Sequence, residues 1–329
     1  MTAPTPRRPT VVRFWGTRGT LPVAATAAQV RAKIVAALMQ AGGQSFADEA
    51  AAGQFVDDQL DFATRGTYGG ATSCVEIDCT EDAYFICDMG SGLRAFGHDA
   101  LARCRGGRGR TYNIFLSHLH WDHILGFPLF VPAFDPHATI VIHSCHADAE
   151  IALRRQQEEI SFPVPFDALA ANIRFVTCAA GNEFKVDGLR VTAMSQDHPH
   201  GSYAYRFTDT VGRSIVYSTD SEHKADRMDR EVAFIGFFQL ADLVVCDTMY
   251  SLADSASVKE DWGHSSNVVA IDLCHQARAK RLALFHHEPT SDDGDIQRMH
   301  QESIRYEILT RERAPLEVLC AYDGLEITL

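Results

Sequence analysis

Ser117-His118-Leu119-His120-Trp121-Asp122-His123 decides the reading of this chain of 329 residues. The run follows Tyr112-Asn113-Ile114-Phe115-Leu116, whose apolar and β-branched residues predict a strand. Imidazole nitrogen and carboxylate oxygen together suit Zn²⁺ and similar first-row ions. Four such groups in so short a run cannot all face one ion from a regular strand. On a tight turn, His118 and His120 can point at one ion while Asp122 and His123 point at another.

Working outward, further donors stand where predicted strands end. His198 follows a strand at 189–195, Asp220 one at 213–218, and His286 and His287 one at 281–285. Chemical groups are usually carried by loops held on a rigid scaffold, so joint placement after successive strands points to one site. The doublet leaves a choice. The residue just past the strand, His286, is the expected ligand, and His287 is the alternative. Asp88, at the end of strand 84–88, reads either as a partner that orients a ligand histidine or as a turn former before Gly90. Trp121 and Phe127 read either as an apolar wall beside the ions or as core.

The remaining strand signals fall at 10–15, 72–79, 112–116, 139–143, 173–177, 202–208, 242–247, 316–320 and 325–328. Helices are expected at 146–158, at 265–279 behind Ser265 and Ser266, and at 293–311. Between the first two strands lies an Ala- and Gln-rich stretch, about 24–64. Its apolar residues from Ala25 to Met39 recur at near-helical spacing, and Gly42-Gly43 ends them. We read it as a helical insertion in a single domain spanning residues 1–329. Many strands with helices between them fit an α/β fold in which two sheets pack face to face under outer helices.

The net charge of −13 argues against long nucleic acid as a partner, because neutralising a phosphate backbone needs clustered Lys and Arg. It leaves room for a small phosphorylated substrate, since bound cations can reverse the local field. The nine cysteines form no CxxC pair and sit mostly in apolar runs, the pattern of reduced thiols in the cytoplasm. No apolar run reaches the ~18 residues of a membrane span, and the N-terminus lacks a hydrophobic signal core. A cytoplasmic protein without a membrane partner is expected, with a homodimer as the base-rate assembly.

The HxHxDH run at 118–123 resembles the signature of the metallo-β-lactamase superfamily. Further blocks resemble its phosphodiesterase-like branch, related to class III cyclic-nucleotide phosphodiesterases and tRNA 3′-processing endonucleases. They are Arg13-Phe14-Trp15-Gly16-Thr17-Arg18-Gly19-Thr20, Tyr68-Gly69-Gly70-Ala71-Thr72-Ser73-Cys74, Asp88-Met89-Gly90-Ser91-Gly92, Tyr217-Ser218-Thr219-Asp220-Ser221-Glu222, Trp262-Gly263-His264-Ser265 and Leu284-Phe285-His286-His287-Glu288-Pro289. The resemblance implies a four-layer αββα sandwich with the site along one edge. It implies one metal on His118, His120 and His198, a second on Asp122, His123 and His286, and Asp220 bridging both. The cofactor expected is two divalent ions per chain, zinc first, with manganese or iron as alternatives. A hydroxide shared by the two ions would be the nucleophile. Asp122 is a second-role proton acceptor, and His264 is the proton donor to the leaving oxygen, against a plainer reading in which it caps a helix.

The expected activity is hydrolysis of a small cyclic or linear phosphodiester. The competing expectations are hydrolysis of a thioester, lactone or β-lactam on the same metals, an RNA-processing nuclease, and a non-catalytic metal-binding module.

Overall fold

Buried Val12 and Phe14 alternate with partly exposed Val11, Arg13 and Trp15, which makes β1 (Val11–Gly16) a strand with one face in the core. It belongs to a seven-stranded sheet, together with β2 (Cys74–Asp78), β3 (Ala83–Cys87), β4 (Thr111–Leu116), β5 (Thr139–Ser144), β6 (Asn172–Thr177) and β14 (Glu326–Thr328). The order is β14-β1-β2-β3-β4-β5-β6. The second seven-stranded sheet holds β7 (Glu183–Val186), β8 (Leu189–Gln196), β9 (Ser202–Thr208), β10 (Ser214–Ser218), β11 (Leu243–Asp247), β12 (Arg281–Phe285) and β13 (Glu317–Cys320), in the order β13-β12-β11-β10-β9-β8-β7. This computed structural model describes residues 8–223, 228–251, 259 and 261–329.

The two sheets meet through Phe14, Val75, Phe85 and Phe115 on one side and Val191, Phe207, Tyr217, Val245 and Phe285 on the other. Phe115 and Phe207 pack edge to face with ring centroids 4.9 Å apart. The outer face of the first sheet is covered by α4 (Leu93–Arg105) and α6 (Ala149–Gln156), through residues such as Phe96 and Leu153 against Tyr84, Tyr112 and Ile142. The outer face of the second is covered by α7 (Met228–Phe238), α8 (Asn267–Ala277) and α9 (Asp293–Thr310), through Phe234, Phe238, Ile271 and Ile296. The result is the αββα layering that the sequence predicts. Strands β3, β10 and β11 are buried along their whole length, which explains the apolar runs 83–87, 215–217 and 243–246 within them.

Between β1 and β2 run α1 (Ala27–Ala41), α2 (Glu49–Gln59) and the short α3 (Phe62–Arg65). Thr26 and Gln29 form a capping box at the start of α1, and Gly42 ends it with φ of 58°. The helix is anchored by the Lys33 ammonium, which donates to the Ala63 and Gly66 carbonyls and pairs with Asp293. A further short helix, α5 (Trp121–Ile124), starts inside the histidine run.

Of the helices and strands named above, α4, α5, α7 and β7 lie outside the sequence expectation. The sequence reading assigns nothing to α4, in whose middle Phe130 presses on Gly97; a Cβ there would stand 2.9 Å from the Phe130 ring. The phenylalanines of α7 are as common in strands as in helices. The β7 strand is a short, largely exposed edge strand whose register with β8 leaves little apolar pattern.

Candidate metal centre

Parallel pairing runs through β3, β4, β5 and β6, and through β10, β11, β12 and β13. Parallel strands end at a common edge. Strand β8 shares the direction of β10, because both are antiparallel to β9. That edge gathers Asp88 after β3, His118 after β4, His198 after β8, Asp220 after β10, Asp247 at the end of β11 and His286 after β12. The chain turns from β4 directly into α5, and this turn swings His120 away from Asp122 and His123.

Among the described residues, three groups of donor atoms result. His118, His120, His198 and Asp220 form the first, Asp122, His123, Asp220 and His286 the second, and Asp247, His264 and His286 a third that shares His286 with the second. In the first, His198 Nε2 lies 3.1 Å from His120 Nδ1. Asp220 Oδ2 lies 3.5 Å from His118 Nε2 and 3.7 Å from His198 Nε2. In the second, Asp220 Oδ1 lies 3.2 Å from both His123 Nε2 and His286 Nε2. Asp122 Oδ2 also lies 3.2 Å from each of those nitrogens. Asp220 therefore gives one oxygen to each of these first two groups. His287 turns away and donates from Nε2 to the Ala321 carbonyl at 2.7 Å, which leaves His286 as the histidine at the site.

The donor set fits first-row divalent cations. His118 Nε2 is buried with no hydrogen-bond partner, and His123 Nε2 faces His286 Nε2 at 3.3 Å. Burial first, and neighbouring imidazoles second, hold His118 well below the ordinary histidine pKa, so it is neutral, as a ligand must be. His120 and His198 are also lowered, chiefly by burial. His123 runs the other way. Burial lowers it, but Asp220, Asp122 and Asp88 override this and push it well above the ordinary value. Asp220 is held far below the carboxylate range against its burial, by His286, His123 and His118. A proton on His123 thus balances the carboxylates, and a cation can take over that task.

A surrounding ring of hydrogen bonds fixes the donors. Asp88 Oδ2 accepts from His123 Nδ1 at 2.8 Å, from Tyr217 at 2.7 Å and from the Ser117 hydroxyl at 2.7 Å, while Oδ1 accepts from the Ser117 amide. Asp88 therefore orients a site histidine, as one of its two sequence readings has it. His198 Nδ1 donates to the Gly263 carbonyl at 2.9 Å. The Thr20 amide donates to Asp122 Oδ2 at 2.7 Å. Gly19 is obligatory beside it, because a Cβ there would stand 2.6 Å from the His286 ring.

His264 stands between the first two groups, its ring 5.1 Å from His286 and 5.3 Å from His198. Its Nδ1 lies 2.8 Å from Asp247 Oδ2. It does not cap α8; Ser266 does, accepting from the Val269 amide. Burial lowers the His264 pKa, but Asp247 outweighs burial and raises it to about 9. Asp247, Thr20, Ser117 and Tyr217 are site residues that the sequence reading missed. Asp247 carried a usable signal, an acid ending a buried strand. The Gly16-Thr17-Arg18-Gly19 segment reads first as a tight strand-end turn and only second as a phosphate contact, and Arg18 donates to the Gly69, Glu288 and Ser291 carbonyls. His143 is buried and stacks on Phe115 at 4.7 Å, away from the site.

Residues 77–287 match the β-lactamase superfamily domain. Ribonuclease Z of Thermoplasma acidophilum is 27% identical over 233 residues, 56% of this chain and 71% of that protein. Among solved structures, the metallo-β-lactamase fold protein YhfI from Bacillus subtilis superposes with a TM-score of 0.60 at 18% identity, covering 98% of this chain and 99% of that one. Unliganded yeast PDE1 gives a TM-score of 0.60 at 13% identity, covering 98% and 99%. Human tRNase Z, short form, gives 0.56 at 19% identity, covering 96% and 98%. At these identities the structures speak for the fold, and the domain match speaks for the family. The chain belongs to the metallo-β-lactamase superfamily, as a metal-dependent hydrolase, and its sequence is similar to that of a ribonuclease Z.

Proposed function

We propose that this chain is a binuclear metal-dependent phosphodiesterase acting on a small cyclic or linear phosphodiester. The observation that carries the proposal is the sharing of Asp220 between two donor groups, with the Asp247–His264 pair beside both. His118, His120, His198 and Asp220 would hold one cation, and Asp122, His123, Asp220 and His286 the other. Bound there, divalent cations supply Lewis acidity at the phosphoryl oxygens and a lowered pKa for water.

The chain's own groups do the rest. Asp220 sets the spacing of the two groups through its two oxygens. Asp88 keeps Nε2 of His123 turned inward by accepting from its Nδ1. Asp247 holds His264 protonated near neutral pH, with Nδ1 donating to the carboxylate. That leaves the Nε2 proton for a leaving alkoxide. Asp122, fixed by the Thr20 amide, serves as ligand and as secondary proton acceptor.

The purified protein, loaded in turn with zinc, manganese and iron, should be assayed side by side on bis-p-nitrophenyl phosphate, a lactone and a cephalosporin. Turnover of the phosphodiester with two ions per chain by mass spectrometry is the expected result. Turnover of the lactone or cephalosporin alone overturns it. The likeness to Ribonuclease Z supports a second reading, an RNA-processing nuclease. Retardation of structured RNA at physiological salt, followed by its cleavage, would favour that reading over a small substrate.

A further inference from the structure

One buried carboxylate joins two loops at the edge of the metal centre. Glu222 is 9% exposed and stands two residues past Asp220, on the turn after β10. Its Oε1 accepts from the Asp261 amide at 3.0 Å and its Oε2 from the Gly263 amide at 3.3 Å. Its own amide donates to the carbonyl of Asp197, next to His198, at 2.8 Å. A second seam runs alongside, where the Ser265 hydroxyl donates to the Ser221 carbonyl and accepts from the His223 amide. The loop held in this way carries two groups of the centre. Gly263 presents its carbonyl to His198 Nδ1, and His264 follows it.

Asp261 has φ of 66°, a left-handed backbone that a non-glycine residue keeps only where its surroundings impose it. Gly263 has φ of 83°, and a Cβ there would stand 2.3 Å from the His198 ring, so the backbone lies directly against that imidazole. Trp262 between them is 58% exposed, so burial of its ring does little to fix the loop. Amides donating to a carboxylate do more, because such hydrogen bonds are stronger than neutral ones and fix direction. Asp247 holds the His264 ring at Nδ1, but the ring is aimed only as well as the backbone that carries it. We propose that Glu222 is a positioning residue that clamps the 261–264 loop onto the metal centre. It sets the Gly263 carbonyl against His198 and turns the His264 ring toward the leaving oxygen. The aim of His264 rests on the phosphodiesterase reading, whereas the clamp itself does not.

Glu222→Ala and Glu222→Gln test the clamp on the zinc-loaded protein. In Glu222→Ala, hydrogen exchange of peptides covering 261–265 should accelerate, while peptides covering 112–116 in β4 stay as protected as in the parent. Glu222→Gln keeps one accepting oxygen and should lie between the two. At saturating zinc, Glu222→Ala should lower kcat for diphenyl phosphate, whose leaving phenolate is the more basic, by about 10- to 100-fold, the scale of a misplaced general acid. The loss on bis-p-nitrophenyl phosphate should be much smaller. Added to His264→Ala, the change should cost little beyond His264→Ala alone, because the two residues act through one ring. Unchanged exchange over 261–265, or acceleration that reaches β4 equally, would overturn the clamp. Equal losses on the two esters, or a full further loss on the His264→Ala background, would overturn the positioning of His264. Local acceleration in a protein that turns over no phosphodiester would leave the clamp standing and remove the phosphodiesterase reading.

Discussion

Along the strand ends from Asp88 to His286, burial and backbone strain accumulate, whereas across α1 and α2 neither does. Asp88, Asp220 and His286 have φ of 62°, 50° and 62°, and Thr20 and His200 add 60° and 64°. A non-glycine residue in the left-handed region costs of order 1–3 kcal/mol and persists only where its surroundings force it. Helices α1 and α2 contain no buried residue, and each begins with a side-chain cap. Val30, Ile34, Leu38 and Met39 of α1 all stand in water. The contrast teaches where this chain spends its stability. The sandwich core holds strained turns in place at one edge, while α1 and α2 follow local helix rules and bury no residue.

The largest effect should come from the carboxylate that the first two donor groups share. Asp220→Asn keeps the shape but removes the charge that both donor groups share. We expect metal content to fall below two ions per chain and turnover to drop by roughly 10³-fold, the scale of losing a key electrostatic group. Inductively coupled plasma mass spectrometry and a phosphodiester assay measure both. Retention of two tightly held ions would show that Asp220 does not join the groups. Next in size is His264→Ala, which removes a proton donor without touching the ligands. Turnover should fall by about 10²-fold with metal content intact. The loss should shrink for esters whose leaving group needs no proton, such as p-nitrophenolate. A uniform loss across leaving groups would assign His264 to positioning instead.

The same contrast explains what the sequence made legible. The αββα fold could be read because each core strand carries its own apolar pattern and β4 runs straight into the histidine turn. His118 through His123 could be read because their chemistry is local. The pairing of Asp247 with His264 and the Thr20 amide on Asp122 could not, because both depend on contacts between strand ends far apart in sequence. Arg18 shows the same limit. Its guanidinium suggests an anion until the fold surrounds it with three carbonyls. Gly97 of α4 is required by a ring, Phe130, that comes from another segment, so the constraint is not local.

A third test separates the charged site from the neutral core. Burial lowers the pKa of His143 and of His287 to about 4, well under the ordinary value near 6.5. Between those values the unfolded chain takes up a proton that the folded chain refuses, so stability is full above pH 6.5 and falls as pH drops toward 4. At pH 5 each group should cost about 2 kcal/mol relative to pH 7.5. Urea unfolding at the two pH values measures the loss. His143→Phe keeps the stack on Phe115 and removes that histidine's share, so the variant should lose about 2 kcal/mol less on acidification than the parent. Equal losses in the two proteins would mean that His143 is not held neutral by the fold.

The smallest effect is expected on α1, and it is informative because it is small. Leu38→Lys places a charge on a side chain that is 66% exposed and packs against no core cluster. Unfolding free energy should change by no more than about 0.5 kcal/mol, as for surface substitutions generally. Lys33 lies on the same helix but holds two carbonyls and Asp293, so Lys33→Met should cost about 1–3 kcal/mol through the carbonyls and carboxylate it leaves unpaired. If α1 is the locally determined element its caps imply, the two changes will differ in this way at any protein concentration. If Leu38→Lys instead costs more than Lys33→Met, and does so only above a threshold concentration, the Val30-Ile34-Leu38 stripe is covered in solution by another copy of the chain. The helix would then owe its apolar surface to that contact and not to weak selection on an exposed segment.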